Sequence, residues 1–375
     1  MDNSAPVAPP VVVKPFRILP FRGLRLANSA VGDPASARVF ARPYRNVPER
    51  ILTWETAGRI HHDDQPAIYL HEYTADGITI RGLVGALDLS RNSMNCPGAR
   101  QAVFPHEGVH PDQVRELGAR MDEMRINPAP ILLVHRGPAA VRRLIHAVLE
   151  TPPTVAFTDR AGQVHRLWAL RDTPTLMAIE AGLADTHALI ADGHHRYAGY
   201  LQLQAAHPGT PWDRGLVMLV DQSDTPLWLG PIHRFLGGLE FDTVLAVCAD
   251  QGLDYTLVER PDALEQLGDH TIVITDATRW ATVRLPPRDA LAVTVVETEL
   301  FPPLNVAKSR ISYHHTAEHA LHQARSRRGV CLLMPVPAFD AVVTTAGAGQ
   351  LLPEKATSFQ PKPSLGVLMR DLRDE

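Results

Sequence analysis

Residues 187–201 read HALIADGHHRYAGYL. The first five residues have the composition of a strand buried on both faces. The last eight read as the start of a helix. Between them lies Asp192-Gly193-His194-His195-Arg196, a carboxylate, a glycine, two imidazoles and a guanidinium at one strand-to-helix junction. A strand that turns directly into a helix is a building unit of α/β proteins.

The flanking sequence extends the pattern. A helix over about 173–184 leads into the strand. Before it, 154–170 reads as a hairpin turning at Ala161-Gly162, and 67–87 as a second hairpin turning at Asp76-Gly77. Residues 111–126 carry a helical stripe of Val114, Leu117, Met121 and Met124, with Pro111 where a first helical turn tolerates it. The run ILLVH at 131–135 predicts a buried strand, followed by a helix over 138–150. Two further strands are expected at 215–221 and 227–236. From 241 to 345 short helices and strands alternate with few clustered polar groups. The fold class is α/β (α+β): a mixed-sheet core with a second α/β domain or insertion. The expected divisions are a loose arm at 1–13, a core at 14–238, a second region at 239–350, and a segment at 351–375 returning toward the site.

Composition narrows the function classes. The chain has 375 residues, 45% hydrophobic and 21% charged, with a formal charge of −4. That charge gives no general attraction to nucleic acid or to acidic membranes. Three widely spaced cysteines, Cys96, Cys248 and Cys331, suggest neither a disulfide framework nor a zinc ribbon, and fit a reducing, cytoplasmic compartment. The N-terminus lacks the basic start and apolar run of a signal peptide. No apolar stretch approaches the roughly 20 residues of a membrane span.

The junction has a definite chemistry. A helix N-terminus presents backbone N–H groups and partial positive charge, and so receives anions such as phosphate. Gly193 permits close backbone approach. Arg196 can grip two phosphate oxygens with its planar fork. His194 and His195 can donate to phosphate or move a proton. Asp192 can cap the helix, hold Mg²⁺, or accept a proton from a hydroxyl. The plainer alternative is a cap and a turn with two solvated histidines.

Other groups are candidates with plainer alternatives of their own. His106-Glu107 precedes the Pro111 helix, and Glu107 reads as a base or metal ligand, or as a loop acid near a helix start. His233-Arg234 reads as a second anion contact or as a partly exposed strand pair. Lys355 and Lys362 flank Thr357 and Ser358 in a run that could embrace phosphate, or are solvated. His61-His62-Asp63-Asp64 and His314-His315 read as surface. No phosphate-binding Gly-x-x-x-x-Gly-Lys-Ser/Thr loop, no Gly-x-Gly-x-x-Gly after a strand and no Gly-x-Ser-x-Gly elbow is present.

Several motifs together carry a resemblance: KPFRILPFRGLR at 14–25, RGLVGAL, PHEGVHPDQV at 105–114, LIADGHHRYAGYL, GPIHRFL at 230–236 and LPEKATSFQPKPSLGVLMR at 352–370. They run along most of the chain. The sequence resembles the family catalogued as domain of unknown function 1015, also described as SerK-like, in the ParB/sulfiredoxin-like superfamily. That resemblance implies nucleotide phosphates bound at the strand–turn–helix. It implies a kinase that moves a phosphoryl group from ATP or ADP, with Mg²⁺, to a small-molecule hydroxyl, free L-serine being the leading acceptor. A nucleotide-binding switch, or a phosphoester or nucleotide hydrolase, are the alternatives. Carried across, Asp192, Gly193, His194, His195 and Arg196 match the motif, and Glu107 is the candidate for the family's glutamate. Catalytic roles fall to Glu107, Asp192, His194 and His195. Nucleotide contacts fall to Gly193, Arg196, His106, His233, Arg234, Lys355 and Lys362, and Mg²⁺ to Asp192 and Glu107. One departure stands out: where the family carries Pro-Pro-Tyr-Asp, this chain has Arg42-Pro43-Tyr44-Arg45.

Overall fold

The computed structural model describes residues 5–34, 47–286 and 290–373. The Arg42–Arg45 segment lies outside them. The fold is α/β with more than one sheet. The chain divides into two compact units, Met1–Leu227 with Pro361–Glu375, and Trp228–Gln360.

The first unit is built on a large mixed sheet. In chain order its elements are β1 (Ile18–Leu19), β2 (Ile68–Ala75), β3 (Ile78–Asp88), β4 (Val103–Phe104), α1 (Pro111–Met124), β5 (Ile131–His135), α2 (Ala139–Leu149), β6 (Val155–Thr158), β7 (Val164–Leu170), α3 (Thr173–Leu183), β8 (Ala188–Asp192), α4 (His194–Ala206) and β9 (Arg214–Asp221). The strand order is β4-β8-β5-β9-β3-β2-β7-β6, with β1 on β3. Strands β9 and β5 are parallel and the two predicted hairpins are antiparallel. Gly77 and Gly162 turn those hairpins at φ 78° and 84°, a conformation that glycine adopts without Cβ strain.

The central strands are apolar because both faces are covered. All five residues of β5 are buried, as are the last seven of β9. Helices α1, α2, α3 and α4 supply Met121, Val141, Ile179 and Leu201 to one core with them. Asp172 caps α3, accepting from the Thr175 N–H at 2.9 Å.

A four-stranded sheet completes this unit, in the order Ile60–His62, Gly23–Leu26, Met369–Asp371, Ile126–Asn127. Arg370 is fully buried there, donating to Asn127 Oδ1 (3.2 Å) and to the carbonyls of Arg214 (2.6 Å) and Pro211 (2.8 Å).

Two local expectations are corrected. Residues 5–13 are not a loose arm: Val12 and Val13 are buried, and the Val12 N–H donates to Tyr197 Oη at 2.8 Å. The run 227–236 is not one strand but two, Trp228–Gly230 and His233–Gly237, in different sheets. Pro231 lies between them, and without an N–H it cannot continue a ladder.

The second unit holds a six-stranded antiparallel sheet, ordered Tyr255–Val258, Trp280–Arg284, Thr271–Thr275, Gly329–Leu333, His233–Gly237, Ile311–His314. Phe235, Val273, Trp280, Leu321 and Cys331 form its core. Among the described residues, no helix is long and apolar enough to cross a membrane.

Candidate functional site at the β8–α4 junction

The junction is shaped by its own sequence. Strand β8 shifts register against β5 between Ile190 and Asp192, a bulge of the kind that re-aims a side chain at a strand end. Gly193 then caps α4 at φ 98°. Glycine is required twice over here, since a Cβ would also stand 2.9 Å from Arg196 Nη2.

Arg196 folds back over that glycine. Its Nη1 donates to the carbonyls of Ala129 (3.0 Å) and Pro130 (2.8 Å), and its Nη2 to Asp192 Oδ2 (2.8 Å). The guanidinium thus ties the start of α4 to the segment entering β5. Three of the five N–H donors expected to grip phosphate are thus engaged by the protein itself.

Asp192 sits between two cations. Its second oxygen, Oδ1, meets Lys362 Nζ at 2.5 Å. Burial would raise the Asp192 carboxyl, but the charges of Arg196 and Lys362 more than offset it and hold the group below its ordinary value. With both oxygens engaged by cations, Asp192 does not fit the Mg²⁺-ligand role expected of it.

On the other side of the helix start lies Glu107. Its Oε2 is 3.9 Å from His194 Nδ1, while the backbone N–H of His106 donates to His194 Nε2 at 3.3 Å. Because Nε2 accepts, neutral His194 carries its proton on Nδ1, toward the carboxylate. His195 is set the same way: its Nε2 accepts from the His110 N–H at 3.1 Å. The rings pair as well, His106 edge-on to His194 and His110 stacked on His195. His106 is fully buried, and burial pushes its imidazole down to about 4, against a hydrogen bond to the Ile190 backbone. It is therefore a neutral structural ring at physiological pH.

Residues 106–110 also spell His-Glu-x-x-His, a spacing that binds zinc when both histidines lie on one helix. Here they precede α1 in extended chain, and each histidine is taken up by a different histidine of α4. This spacing overturns the expectation that no His-Glu-x-x-His is present, and it was the signal that would have singled out His110. Among the described residues, the group placed to hold a metal is elsewhere: Glu55, His62 and Asp371. Arg373 already bridges its two carboxylates, at 2.7 Å from Glu55 Oε1 and 2.9 Å from Asp371 Oδ1.

The junction thus brings together Glu107, Asp192, Gly193, His194, His195, Arg196, His106 and Lys362 in the first unit. His233, Arg234 and Lys355 belong to the second unit. There Arg234 is fully buried rather than half-exposed. It donates to the carbonyls of Ile232 and Lys355 and lies 3.5 Å from Glu297 Oε1. The His233 ring accepts from the Met334 N–H at 3.0 Å. These contacts correct the expectation of an anion contact at His233-Arg234; the pair braces its own unit. Lys355 enters that unit's network through its carbonyl, while its side chain is exposed.

The chain shows similarity to solved structures at low identity. A free serine kinase in complex with AMP is 15% identical, with a TM-score of 0.44, covering 79% of this chain and 93% of that one. A conserved hypothetical protein from Pyrococcus furiosus is 16% identical, TM-score 0.40, covering 73% and 93%. SbnI with a C-terminal truncation, from Staphylococcus aureus, is 13% identical, TM-score 0.42, covering 76% and 87%. No curated protein matches the chain. The family described as Protein of unknown function (DUF1015) matches residues 19–304, most of the sequence and all of the β8–α4 junction, and the chain belongs to that family.

Proposed function

We propose that the β8–α4 junction binds the phosphates of a nucleotide, ATP or ADP, and transfers a phosphoryl group to a small-molecule hydroxyl, with free L-serine the leading acceptor. One observation carries this reading. Helix α4 starts at Gly193 between a cation, Lys362 on Asp192, and a carboxylate–imidazole pair, Glu107 with His194. Phosphoryl transfer needs little covalent help from a protein. It needs positioning, charge neutralisation and a group to take the hydroxyl proton.

Each residue then has a role. The α4 N-terminus and Lys362 face the phosphoryl charge. Lys362 is about half exposed, at 46%, so its ammonium can exchange Asp192 for a phosphate oxygen. Asp192 holds Lys362 ready, and Arg196 holds Asp192. Glu107, with 23% of its side chain exposed, takes the acceptor's proton. His194 positions that carboxylate, and His195, whose Nε2 accepts from the His110 N–H, can offer its other ring nitrogen as the kind of donor a phosphate oxygen accepts.

A second reading, a nucleotide-dependent switch without transfer, draws on the Asp192–Lys362 contact. A phosphate that captured Lys362 would break that contact, while Tyr73 and Gln163 keep hold of the backbone at 361–364. The test is ³¹P NMR of the full chain with ATP or ADP and L-serine. Phosphoserine formation supports the kinase. Nucleotide binding without turnover over a panel of hydroxyl compounds supports the switch. Absence of nucleotide binding overturns both.

A further inference from the structure

The same unit holds a cleft of about 480 Å³, formed by the described residues of α4, the start of α1 and the segments 7–10 and 92–95. It lies along the helix that begins at the junction. His194, Ala198, Leu201 and Ala205 occupy i, i+4, i+7 and i+11 of α4, which is one face of a helix. Ala198, Leu201 and Ala205 line the cleft. At about 1.5 Å per residue, its floor starts roughly 6 Å beyond His194 along the axis. Val109, Pro111 and Val114 form the facing wall.

We propose that this cleft takes the nucleoside part of the nucleotide whose phosphates meet the first turn of α4; the inference rests on that phosphate reading. Three features select a nucleoside. The volume falls in the range of sites for whole small molecules and is far larger than serine needs. The walls are apolar, suited to the two faces of a base, and Met94, 75% exposed, adds a polarisable side chain. The exposed rim carries two carboxamides: Gln202, whose amide offers both donor and acceptor to a base edge, and Asn95, whose nitrogen donates to the Ser90 carbonyl at 2.9 Å. The neighbouring carboxamides Asn92 and Gln204 are buried and bonded to each other at 3.2 Å, so they shape the wall.

Calorimetric titration of the full chain with adenosine, cytidine, AMP and pyrophosphate tests this. Ala205 is exposed, so Ala205→Trp fills the cleft without disturbing the core; Gln202→Ala removes one rim carboxamide. Expected is nucleoside binding that falls at least tenfold in Ala205→Trp and severalfold in Gln202→Ala, with pyrophosphate affinity unchanged within twofold. If neither nucleoside binds the wild type, or Ala205→Trp leaves nucleoside and AMP affinity intact, the cleft proposal is overturned. Loss of pyrophosphate binding in the wild type would instead overturn the phosphate reading, and the adenosine and cytidine titrations still decide the cleft.

Discussion

Lys362 Nζ lies 2.5 Å from Asp192 Oδ1, joining residues 170 positions apart. The Asp192 carboxyl is held below its ordinary value in the fold, so its stabilisation is complete above the unfolded-state value of about 3.9 and is lost as pH falls through the lower folded value. Lys362→Met removes one of the two cations. At neutral pH it should cost about 1 kcal/mol, as for a half-exposed pair. That difference should vanish as acid protonates Asp192. Urea denaturation at neutral and acid pH checks it, and a difference indifferent to acid would break the assignment.

Arg196→Ala should destabilise the protein by about 2–3 kcal/mol, because three charge-assisted hydrogen bonds go at once; the Ala129 carbonyl keeps the Tyr200 hydroxyl at 3.3 Å, but the Pro130 carbonyl loses its side-chain donor. Arg196→Lys should recover only part of this, since an ammonium lacks the planar fork. Chemical denaturation of both variants measures it. A variant as stable as wild type would return Arg196 to the role of ligand contact.

Gly193→Ala places a Cβ at a φ of 98° and against the Arg196 guanidinium. The expected cost is about 1–3 kcal/mol, with loss of nucleotide affinity as the first turn of α4 shifts. Thermal denaturation and a nucleotide titration together read both effects.

His106 is buried and neutral, its imidazole pushed down to about 4. An unfolded chain takes up this proton near pH 6.5, so the stabilisation present above that pH is lost as pH falls toward 4. The full loss for this one ring is on the order of 3 kcal/mol. His106→Phe should flatten stability against pH over that window by up to one proton. An unchanged slope would mean His106 is charged in the fold.

Glu107→Gln keeps the shape of the pair with His194 but cannot accept a proton. Under the kinase reading kcat should fall about 10²-fold or more, with stability unchanged within about 0.5 kcal/mol. A variant that keeps the wild-type kcat would assign the proton to another group.

The sequence made the local elements readable where one period or one turn residue dominates. Gly77 and Gly162 mark the hairpins, ILLVH and HALIA the doubly buried strands, and Pro111 the start of α1. What stayed hidden is set by distant partners. Val12 and Val13 sit in a stretch rich in proline and alanine, and nothing local shows that Tyr197 receives the chain there. Nothing near Met369–Asp371 announces that Gly23–Leu26 and Ile126–Asn127 flank it. At the site, residue types revealed which groups matter but not which partner each would meet. Arg196 reads as a ligand grip until Ala129 and Pro130 are seen beneath it. Asp192 reads as a metal ligand until both of its oxygens are seen to be held.

The place of Met369–Asp371 inside the four-stranded sheet has a consequence for biosynthesis. A ribosome delivers Gly23–Leu26 and Ile126–Asn127 long before the strand that joins them, and the whole of Trp228–Gln360 is made in between. The nascent chain therefore carries two unmated strand edges and an unfilled space for Arg370 until Met369–Asp371 emerges, and the first unit is completed only after the second has been synthesised.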